Sequence, residues 1–317
     1  MKYWLSLILP LIVLLGRADA LINFGLDNSA NASDPGVAGV AWDATARMAN
    51  YDEGAGTVSN PAGTAVHLGN GYMLTADHVI VRSHVSFDGS TWLAVDNGFT
   101  PQQVAADVDL KVFKLASTPN TAAVTLHGGG DETGVLGYNV GWGRGRGDDL
   151  QIGDNIQDFG KDGTIDKRWG TNVIKATGEV TWDGLSGGTD FTQEALVSVL
   201  GNDEGVNESA LALWDSGSPF FQEINGTMVL TGIAGSRSLQ NGGPGDFKAT
   251  FGNDTLGGNP NARGDRNFYV QIGAYKDEIE SIVPESKNYG LLLGMLSVGA
   301  VLALTRGRSR GPSKSSV

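Results

Sequence analysis

The chain has 317 residues, a formal net charge of −13 and no cysteine. The negative charge argues against binding to nucleic acid or anionic lipid, because such partners recruit Lys and Arg. The absence of cysteine excludes disulfides, thiolate nucleophiles and cysteine-ligated metals, so the hydrophobic core must hold the fold. The 47 glycines and the low charged fraction of 18% are typical of a loop-rich chain that favours strands.

The first twenty residues have the three parts of a secretory signal peptide. Lys2 supplies a positive start, an apolar run extends over 5–15, and Ala18-Asp19-Ala20 is an Ala-x-Ala cleavage site. The apolar run is too short to favour the alternative, a transmembrane anchor. We therefore predict export and removal of residues 1–20 by signal peptidase. Residues 21–54 are predicted to be a poorly ordered lead-in segment or propeptide, or an edge element.

From residue 55 onward the pattern is one of short strands separated by turn residues. Segments 63–68 and 72–75 flank Asn70-Gly71, a pair that favours a β-hairpin turn. Further strands are predicted at 81–87, 110–115, 137–142, 172–180, 195–200, 218–221 and 228–234, and one helix at 272–283. Many short strands without helical periodicity predict an all-β sandwich or barrel. The stretch 144–170, rich in Gly and Asp, is predicted to be a long polar insertion.

The last 34 residues, 284–317, form a tripartite tail. Val283-Pro284-Glu285-Ser286 precedes an apolar segment at 289–305, just long enough to span a bilayer, and an Arg-rich end follows. The tail resembles the PEP-CTERM sorting signal of Gram-negative bacteria, with Ser286 in place of the second proline of that motif. The resemblance implies processing by an exosortase and delivery to the cell surface, outer membrane or extracellular matrix. The alternative is a plain C-terminal membrane anchor.

Three motifs place a histidine, an aspartate and a serine in that order along the chain. His78 ends Leu74-Thr75-Ala76-Asp77-His78, Asp109 begins the run 109–115, and Ser216 lies in Trp214-Asp215-Ser216-Gly217-Ser218-Pro219. A serine hydroxyl is a weak nucleophile that needs a base in reach, and an imidazole is suited to that task near neutral pH. A carboxylate can orient the imidazole and fix its tautomer. Asp107, two residues before Asp109 on the same strand face, is the rival for that carboxylate.

These motifs resemble those of the trypsin-like, chymotrypsin-fold serine proteases, over residues 55–283. Gly141-Trp142-Gly143 and the segment from Phe268 into the last helix add to the resemblance. It implies two six-stranded antiparallel β-barrels with a C-terminal helix, and an endopeptidase that acts on protein or peptide substrates through an acyl-enzyme. His78 would be the general base and then the acid, Asp109 its orienting carboxylate, and Ser216 the nucleophile. Neither a cofactor nor a metal is required.

Trp214 departs from the family pattern. The resemblance implies an oxyanion hole made by the backbone N–H groups of Trp214 and Ser216, but the family has glycine at the first position. A tryptophan forced to positive φ costs about 1–2 kcal/mol, and an amide that points away would leave the hole unformed. This residue supports the alternative hypothesis, a catalytically weak or inactive protease-fold protein that binds partners at the cell surface or in the matrix.

The resemblance also implies a specificity pocket at Ala210, Ala234 and Gly235. Ala210 stands six positions before Ser216, where trypsin itself carries an aspartate, so small or apolar P1 residues are predicted. Glu208 lies close enough in sequence that a shift of one or two residues would change this. No Ile-Val-Gly-Gly occurs near 36–60, so either another N-terminus pairs with Asp215 or the enzyme folds active without cleavage.

Two other signals compete weakly with this interpretation. Ser186 lies in a Gly-x-Ser-x-Gly motif, but Gly-rich sequence follows where a nucleophile elbow needs a helix. Asp158, Asp162 and Asp166 offer oxygen ligands for calcium, but their spacing fits no EF-hand loop, and a solvated acidic loop is predicted instead.

Overall fold

The computed structural model describes residues 21–25, 29–152, 157–182, 190–201, 205–238, 248–251 and 265–284. Within these residues the chain forms strands, one short α-helix and a 3₁₀ turn. The strands are β1 Ile22–Asn23, β2 Thr45–Asp52, β3 Thr57–Gly69, β4 Tyr72–Thr75, β5 His84–Ser86, β6 Leu93–Ala94, β7 Gln102–Gln103, β8 Lys111–Lys114, β9 Leu136–Gly141, β10 Arg144–Ile152, β11 Gln157–Ile165, β12 Arg168–Trp182, β13 Phe191–Val199, β14 Ser209–Ala210, β15 Pro219–Ile224, β16 Thr227–Ser238, β17 Lys248–Phe251 and β18 Arg266–Gln271. Helix α1 spans Lys276–Ile282, directly after the 3₁₀ turn Ile272–Ala274.

The C-terminal half is a closed antiparallel barrel of six strands in the order β12-β13-β18-β16-β15-β9. Burial alternates along the first half of β12, as expected for a strand that turns one face to a core. Leu196, Phe220 and Tyr269 are fully buried in this barrel, where the rings of Phe220 and Tyr269 stack with their centroids 4.5 Å apart.

The N-terminal half is a curled sheet of seven strands in the order β6-β5-β2-β3-β4-β8-β7. Met48, Met73 and Phe113 come from three of these strands and are fully buried together. Asn70 and Gly71 connect β3 to β4 with φ of +52° and +81°, the backbone that an Asn-Gly hairpin turn requires. The predicted hairpin is therefore confirmed.

The predicted all-β, chymotrypsin-like architecture with a C-terminal helix is confirmed, with one difference in the N-terminal half. This half is an open half-barrel and not a closed barrel of six strands, because β6 and β7 end the sheet without pairing to each other. Two smaller sheets add to the fold within the described residues: β1 pairs with β14, and β10, β11 and β17 form a three-stranded sheet.

Some segments in which no strand was predicted also form strands. β2 lies before residue 55, and residues 53–56 are the turn to β3, so a boundary at 55 falls inside a hairpin. β10 and β11 occupy most of the stretch predicted as a polar insertion and pair with each other through several register shifts. The predicted signal peptide and most of the predicted sorting tail lie outside the described residues. No helix within the described ranges is long and apolar enough to cross a membrane.

Candidate active site

The pairing of β4 with β8 brings the histidine and aspartate motifs together. Thr75 at the end of β4 lies opposite Lys111 at the start of β8. His78 follows Thr75 by three residues and Asp109 precedes Lys111 by two, so both leave the sheet at the same edge. This strand pair therefore brings His78 and Asp109, which are 31 residues apart in sequence, to one edge of the sheet.

His78 and Asp109 are directly hydrogen-bonded. The ring Nδ1 of His78 lies 2.8 Å from Oδ2 and 3.0 Å from Oδ1 of Asp109. The backbone N–H of His78 also donates to Oδ1, at 2.9 Å. Asp109 is fully buried, whereas the side chain of His78 keeps 10% of its surface exposed. Nδ1 is thereby committed to the carboxylate, which leaves Nε2 as the ring nitrogen available to a substrate or nucleophile.

Asp107, the rival carboxylate, takes no part in this arrangement. It is exposed, its backbone has a φ of +59°, and its carbonyl accepts the N–H of Thr192 at 3.0 Å. The left-handed backbone at Asp107 ends the two-residue alternation expected for a strand, so Asp107 and Asp109 do not share a face.

Two residues that the sequence did not indicate complete the surroundings of Asp109. The side-chain Oε1 of Gln193 accepts the backbone N–H of Asp109 at 2.5 Å, and Nε1 of Trp182 donates to Oδ2 at 3.2 Å. Both come from the β12–β13 pair of the C-terminal barrel. Lys111 binds the segment before His78, because its Nζ donates to the carbonyl of Asp77 at 2.6 Å.

Ser216 lies in a loop that contacts both halves of the molecule. Its carbonyl accepts the N–H of Thr64 on β3 at 2.9 Å, while the N–H of Gly217 donates to Ala234 on β16 at 2.8 Å. Gly217 has a φ of +86°, and a Cβ there would lie 2.1 Å from the Thr64 carbonyl oxygen and 2.2 Å from Oγ1 of Thr75. Only glycine allows the loop to approach the strand that leads to His78 so closely.

No hydrogen bond joins Ser216 to His78 within the part of the chain that the structure describes. Catalytic hydrogen bonds are often long in sites without substrate and shorten only when a complex forms. The loop is nevertheless held beside the histidine segment. A Cβ at Gly63 would lie 2.8 Å from the carbonyl oxygen of Ser216 and 3.0 Å from Cγ1 of Val79, the residue after His78.

Trp214 has a left-handed backbone, with a φ of +80°. Its carbonyl accepts a hydrogen bond from the Thr64 hydroxyl, with Oγ1 at 3.1 Å. The carbonyl of the preceding residue, Leu213, accepts a hydrogen bond from the N–H of Arg144 at 2.9 Å. A trans peptide directs its N–H opposite to its C=O, so the N–H of Trp214 points away from Arg144. Among the described residues, the N–H groups of Trp214 and Ser216 donate to no protein acceptor.

Asp215 anchors the same loop from the inside. It is fully buried, and its two carboxylate oxygens accept the N–H groups of Gly143 and Ala212, each at 2.8 Å. Burial raises the pKa of Asp215 to about 7, against the opposing influence of these N–H groups and of the Arg168 guanidinium. Arg168 is also fully buried, and burial lowers its pKa to about 8. It donates to the carbonyl of Leu21 at 3.0 Å.

The three residues predicted for the specificity pocket lie on two strands, Ala210 on β14 and Ala234 and Gly235 on β16. Ala210 pairs with Ile22 of β1, and both Ala210 and Ala234 are fully buried. Gly235 lies next to Asp109 and Trp182, because a Cβ there would be 2.4 Å from the Trp182 ring and 3.2 Å from Oδ2 of Asp109. The pocket therefore stays a prediction.

The competing sites receive no support from the described residues. Ser186 and the side chains of Asp158 and Asp162 lie outside them, so the structure tests neither the nucleophile elbow nor the calcium site. Within the described residues no three His, Asp or Glu side chains are close enough to share a metal ion. A cavity of about 640 Å³ lies against α1, lined among others by His67, Asn70 and Lys276. It does not include the residues of the His78, Asp109 and Ser216 motifs.

Comparison with known proteins shows the fold alone. No protein-family model matches the chain, and no curated protein matches its sequence. The active form of the Rv3671c protease from M. tuberculosis is similar in structure, with a TM-score of 0.51 and 12% identity over 80% of this chain and 88% of that one. Neuropsin, a serine protease expressed in the limbic system of mouse brain, has a TM-score of 0.48 and 15% identity, over 80% of this chain and 97% of its own. The chain thus has a fold similar to that of chymotrypsin-like serine proteases.

Proposed function

We propose that the protein is an exported serine endopeptidase. The observation that carries this proposal is the buried Asp109 carboxylate, whose Oδ2 lies 2.8 Å from Nδ1 of His78. Beside it is a serine loop with two backbone N–H groups that have no protein acceptor among the described residues. A fixed imidazole tautomer, a loop serine and an unoccupied pair of donors are the three parts that acyl transfer needs.

In the proposed reaction, Oγ of Ser216 attacks the peptide carbonyl while Nε2 of His78 takes the hydroxyl proton. The carbonyl oxygen becomes an oxyanion, which the N–H groups of Trp214 and Ser216 bind. His78 then gives the proton to the leaving amine, and an acyl-enzyme remains on Ser216. A water molecule, deprotonated by His78, attacks the acyl group, and the acid product leaves as Ser216 recovers its proton. Asp109 stabilises the imidazolium in both halves of this cycle.

The substrate in this proposal is a protein or peptide with a small or apolar P1 residue. Ala210 carries that preference, because it brings no charge to the predicted base of the pocket. Cleavage of Ala- and Phe-linked chromogenic peptides faster than Arg-linked ones is expected. A preference for Arg-linked peptides would contradict the assignment of Ala210.

The test of the reaction is labelling of the full-length chain, purified in mild detergent, by a fluorophosphonate probe. Such a probe reacts with a serine only when a base activates it. Labelling of the wild type that disappears in Ser216→Ala and His78→Ala would support the proposal. A folded wild-type protein that never labels would instead favour the binding protein suggested by Trp214. A chain whose residual labelling persists in Ser216→Ala would place the nucleophile elsewhere.

Export and surface sorting form a separate part of the proposal and rest on sequence alone. Signal peptidase would cut after Ala20, and an exosortase-type enzyme would act near Val283-Pro284-Glu285. Mass spectrometry of both termini, after expression in a Gram-negative bacterium that has such an enzyme, tests both cuts. A chain that keeps the segment 289–305 in the membrane would favour the plain anchor.

A further inference from the structure

The buried carboxylate of Asp109 is held from two sides. His78 approaches it from the N-terminal sheet, and the indole Nε1 of Trp182 donates to Oδ2 from the C-terminal barrel, at 3.2 Å. A carboxylate without solvent must take its hydrogen bonds from protein donors, and each missing donor costs free energy. The two halves of the molecule thus share one acceptor.

The indole is fixed in place by its own surroundings. Trp182 is the last residue of β12 and pairs with Phe191 of β13. Its ring packs on Phe268, with centroids 6.3 Å apart, and its six-membered ring covers Gly235, where a Cβ would lie only 2.4 Å away. Any side chain at residue 235 would therefore overlap the indole of Trp182.

We infer that Trp182 is a positioning residue of the proposed reaction, whose indole N–H holds the Asp109 carboxylate in the orientation that aligns His78. This inference rests on the proposed function, since it names a role within the same site. Without this donor, Oδ2 keeps only the imidazole as a partner among the described residues, and the contacts of His78 alone set the rotation of the carboxylate about its side-chain bonds. Trp182 touches neither the substrate nor the reacting atoms, so it acts through Asp109.

The geometry at Gly235 supplies a sharp test, because a Cβ there would also lie 3.2 Å from Oδ2 of Asp109. A serine side chain at this position cannot coexist with the indole, but once the indole is gone its hydroxyl is within reach of the same oxygen. Trp182→Ala with Gly235→Ser should therefore restore a donor, whereas Trp182→Ala with Gly235→Ala fills similar space without one.

The experiment measures kcat and KM of the full-length protein with a chromogenic peptide. Trp182→Phe, which keeps a ring but loses the N–H, is expected to lower kcat about tenfold and to change KM less than about twofold, as loss of one hydrogen bond to a charged group predicts. Trp182→Ala should lower kcat further. The double variant with Gly235→Ser should recover about tenfold or more over Trp182→Ala alone, and the matched double variant with Gly235→Ala should not.

Controls separate this role from a structural one. Trp92→Phe, in the N-terminal half and without a contact to Asp109, should keep wild-type kcat. Thermal unfolding of each variant identifies any loss of activity caused by unfolding. A Trp182→Phe enzyme with wild-type kcat, or equal activities of the two double variants, would overturn the inference.

A final measurement remains decisive even if the wild type proves to have no peptidase activity, which would refute the proposed function by itself. Hydrogen exchange of the indole N–H protons, followed by NMR, reads the contact directly. Strong protection of the Trp182 proton relative to that of Trp92, lost in Asp109→Ala, would support the positioning contact. Exchange as fast as that of Trp92 would overturn it.

Discussion

His78 binds Asp109 through its backbone as well as its ring. Oδ1 of Asp109 accepts the His78 N–H at 2.9 Å while the ring Nδ1 lies within 3.0 Å of both carboxylate oxygens. One buried side chain therefore fixes both the path of the chain at residue 78 and the direction of its imidazole. This double attachment restricts the geometry of the His–Asp pair, which is the preorganisation that the proposed reaction requires.

Replacement of the carboxylate by an amide tests this attachment. In Asp109→Asn the side chain keeps its size, but its amide N–H group replaces an acceptor that the surrounding donors of His78 and Trp182 need. The imidazole of His78 then adopts the wrong tautomer. We expect kcat to fall by about 10⁴ with the fold intact. Asp107→Asn is the matched control, because Asp107 is exposed and lies outside the site. Activity of Asp109→Asn close to that of the control would contradict the assignment.

The positive φ of Trp214 predicts a stability difference between two small substitutions. Trp214→Gly and Trp214→Ala both remove the indole, but only glycine is unstrained at a φ of +80°. We expect the glycine variant to have the higher free energy of unfolding, by about 1 kcal/mol. Urea denaturation of the two variants measures this difference. Equal stabilities would show that residue 214 carries no backbone strain.

Gly217 is expected to be far less tolerant than a glycine of similar backbone conformation. A Cβ at Gly217 would collide with backbone and side-chain oxygens, whereas Gly36, at a φ of +69°, has nothing within 4 Å of such an atom. Gly217→Ala should lose more than about 2 kcal/mol of unfolding free energy and most of its fluorophosphonate labelling. Gly36→Ala should lose about 1 kcal/mol and label normally. Similar effects of the two substitutions would contradict the packing described for the serine loop.

The burial of Lys167 predicts that the free energy of unfolding depends on pH. Lys167 is 5% exposed, its Nζ donates to the Phe87 carbonyl at 3.1 Å, and it lies 4.6 Å from the centroid of the Trp42 ring. Burial lowers the pKa of Lys167 from 10.5 to about 7, against the attraction of nearby aspartates. Between those two values the unfolded chain holds a proton that the folded chain lacks, so this residue makes the free energy of unfolding rise with pH.

The substitution Lys167→Met keeps the apolar stem and removes this titration. Urea denaturation from about pH 7 to about pH 10, the window between the two pKa values, should show a smaller rise in stability than in the wild type. Lys114→Met, on the N-terminal sheet, is the control and should retain the wild-type pH dependence. A Lys167→Met curve parallel to that of the wild type would show that the amine keeps its charge in the fold.

The sequence predicted most of the elements of the fold and the motifs of the site, but not their cross-connections. The Asn70-Gly71 hairpin depends on local backbone conformation, so its two turn residues are enough to predict it. Asp109, in contrast, is contacted by Trp182 and Gln193, which are 73 and 84 residues away along the chain. Nothing in a strand pattern shows which residue of the other half of the molecule will face a given carboxylate.

Trp214 illustrates the same limit within a single loop. The family pattern left open whether the backbone at this position has a positive φ, and the structure shows that it does. The direction of the Trp214 N–H depends on where the Leu213 carbonyl finds its partner, the N–H of Arg144. That partner lies far earlier in the chain, so the motif alone left both orientations of the amide open.

The burial of Leu21 has a consequence for the handling of this protein. Its side chain has no exposed surface and packs in the barrel core, and its carbonyl is bonded to Arg168. An affinity tag joined directly before Leu21 would therefore be attached to a buried residue, close to the strand pair β1–β14. The turn at 53–56 between β2 and β3 is exposed on all four residues. An epitope or fluorophore inserted there would leave the serine loop undisturbed.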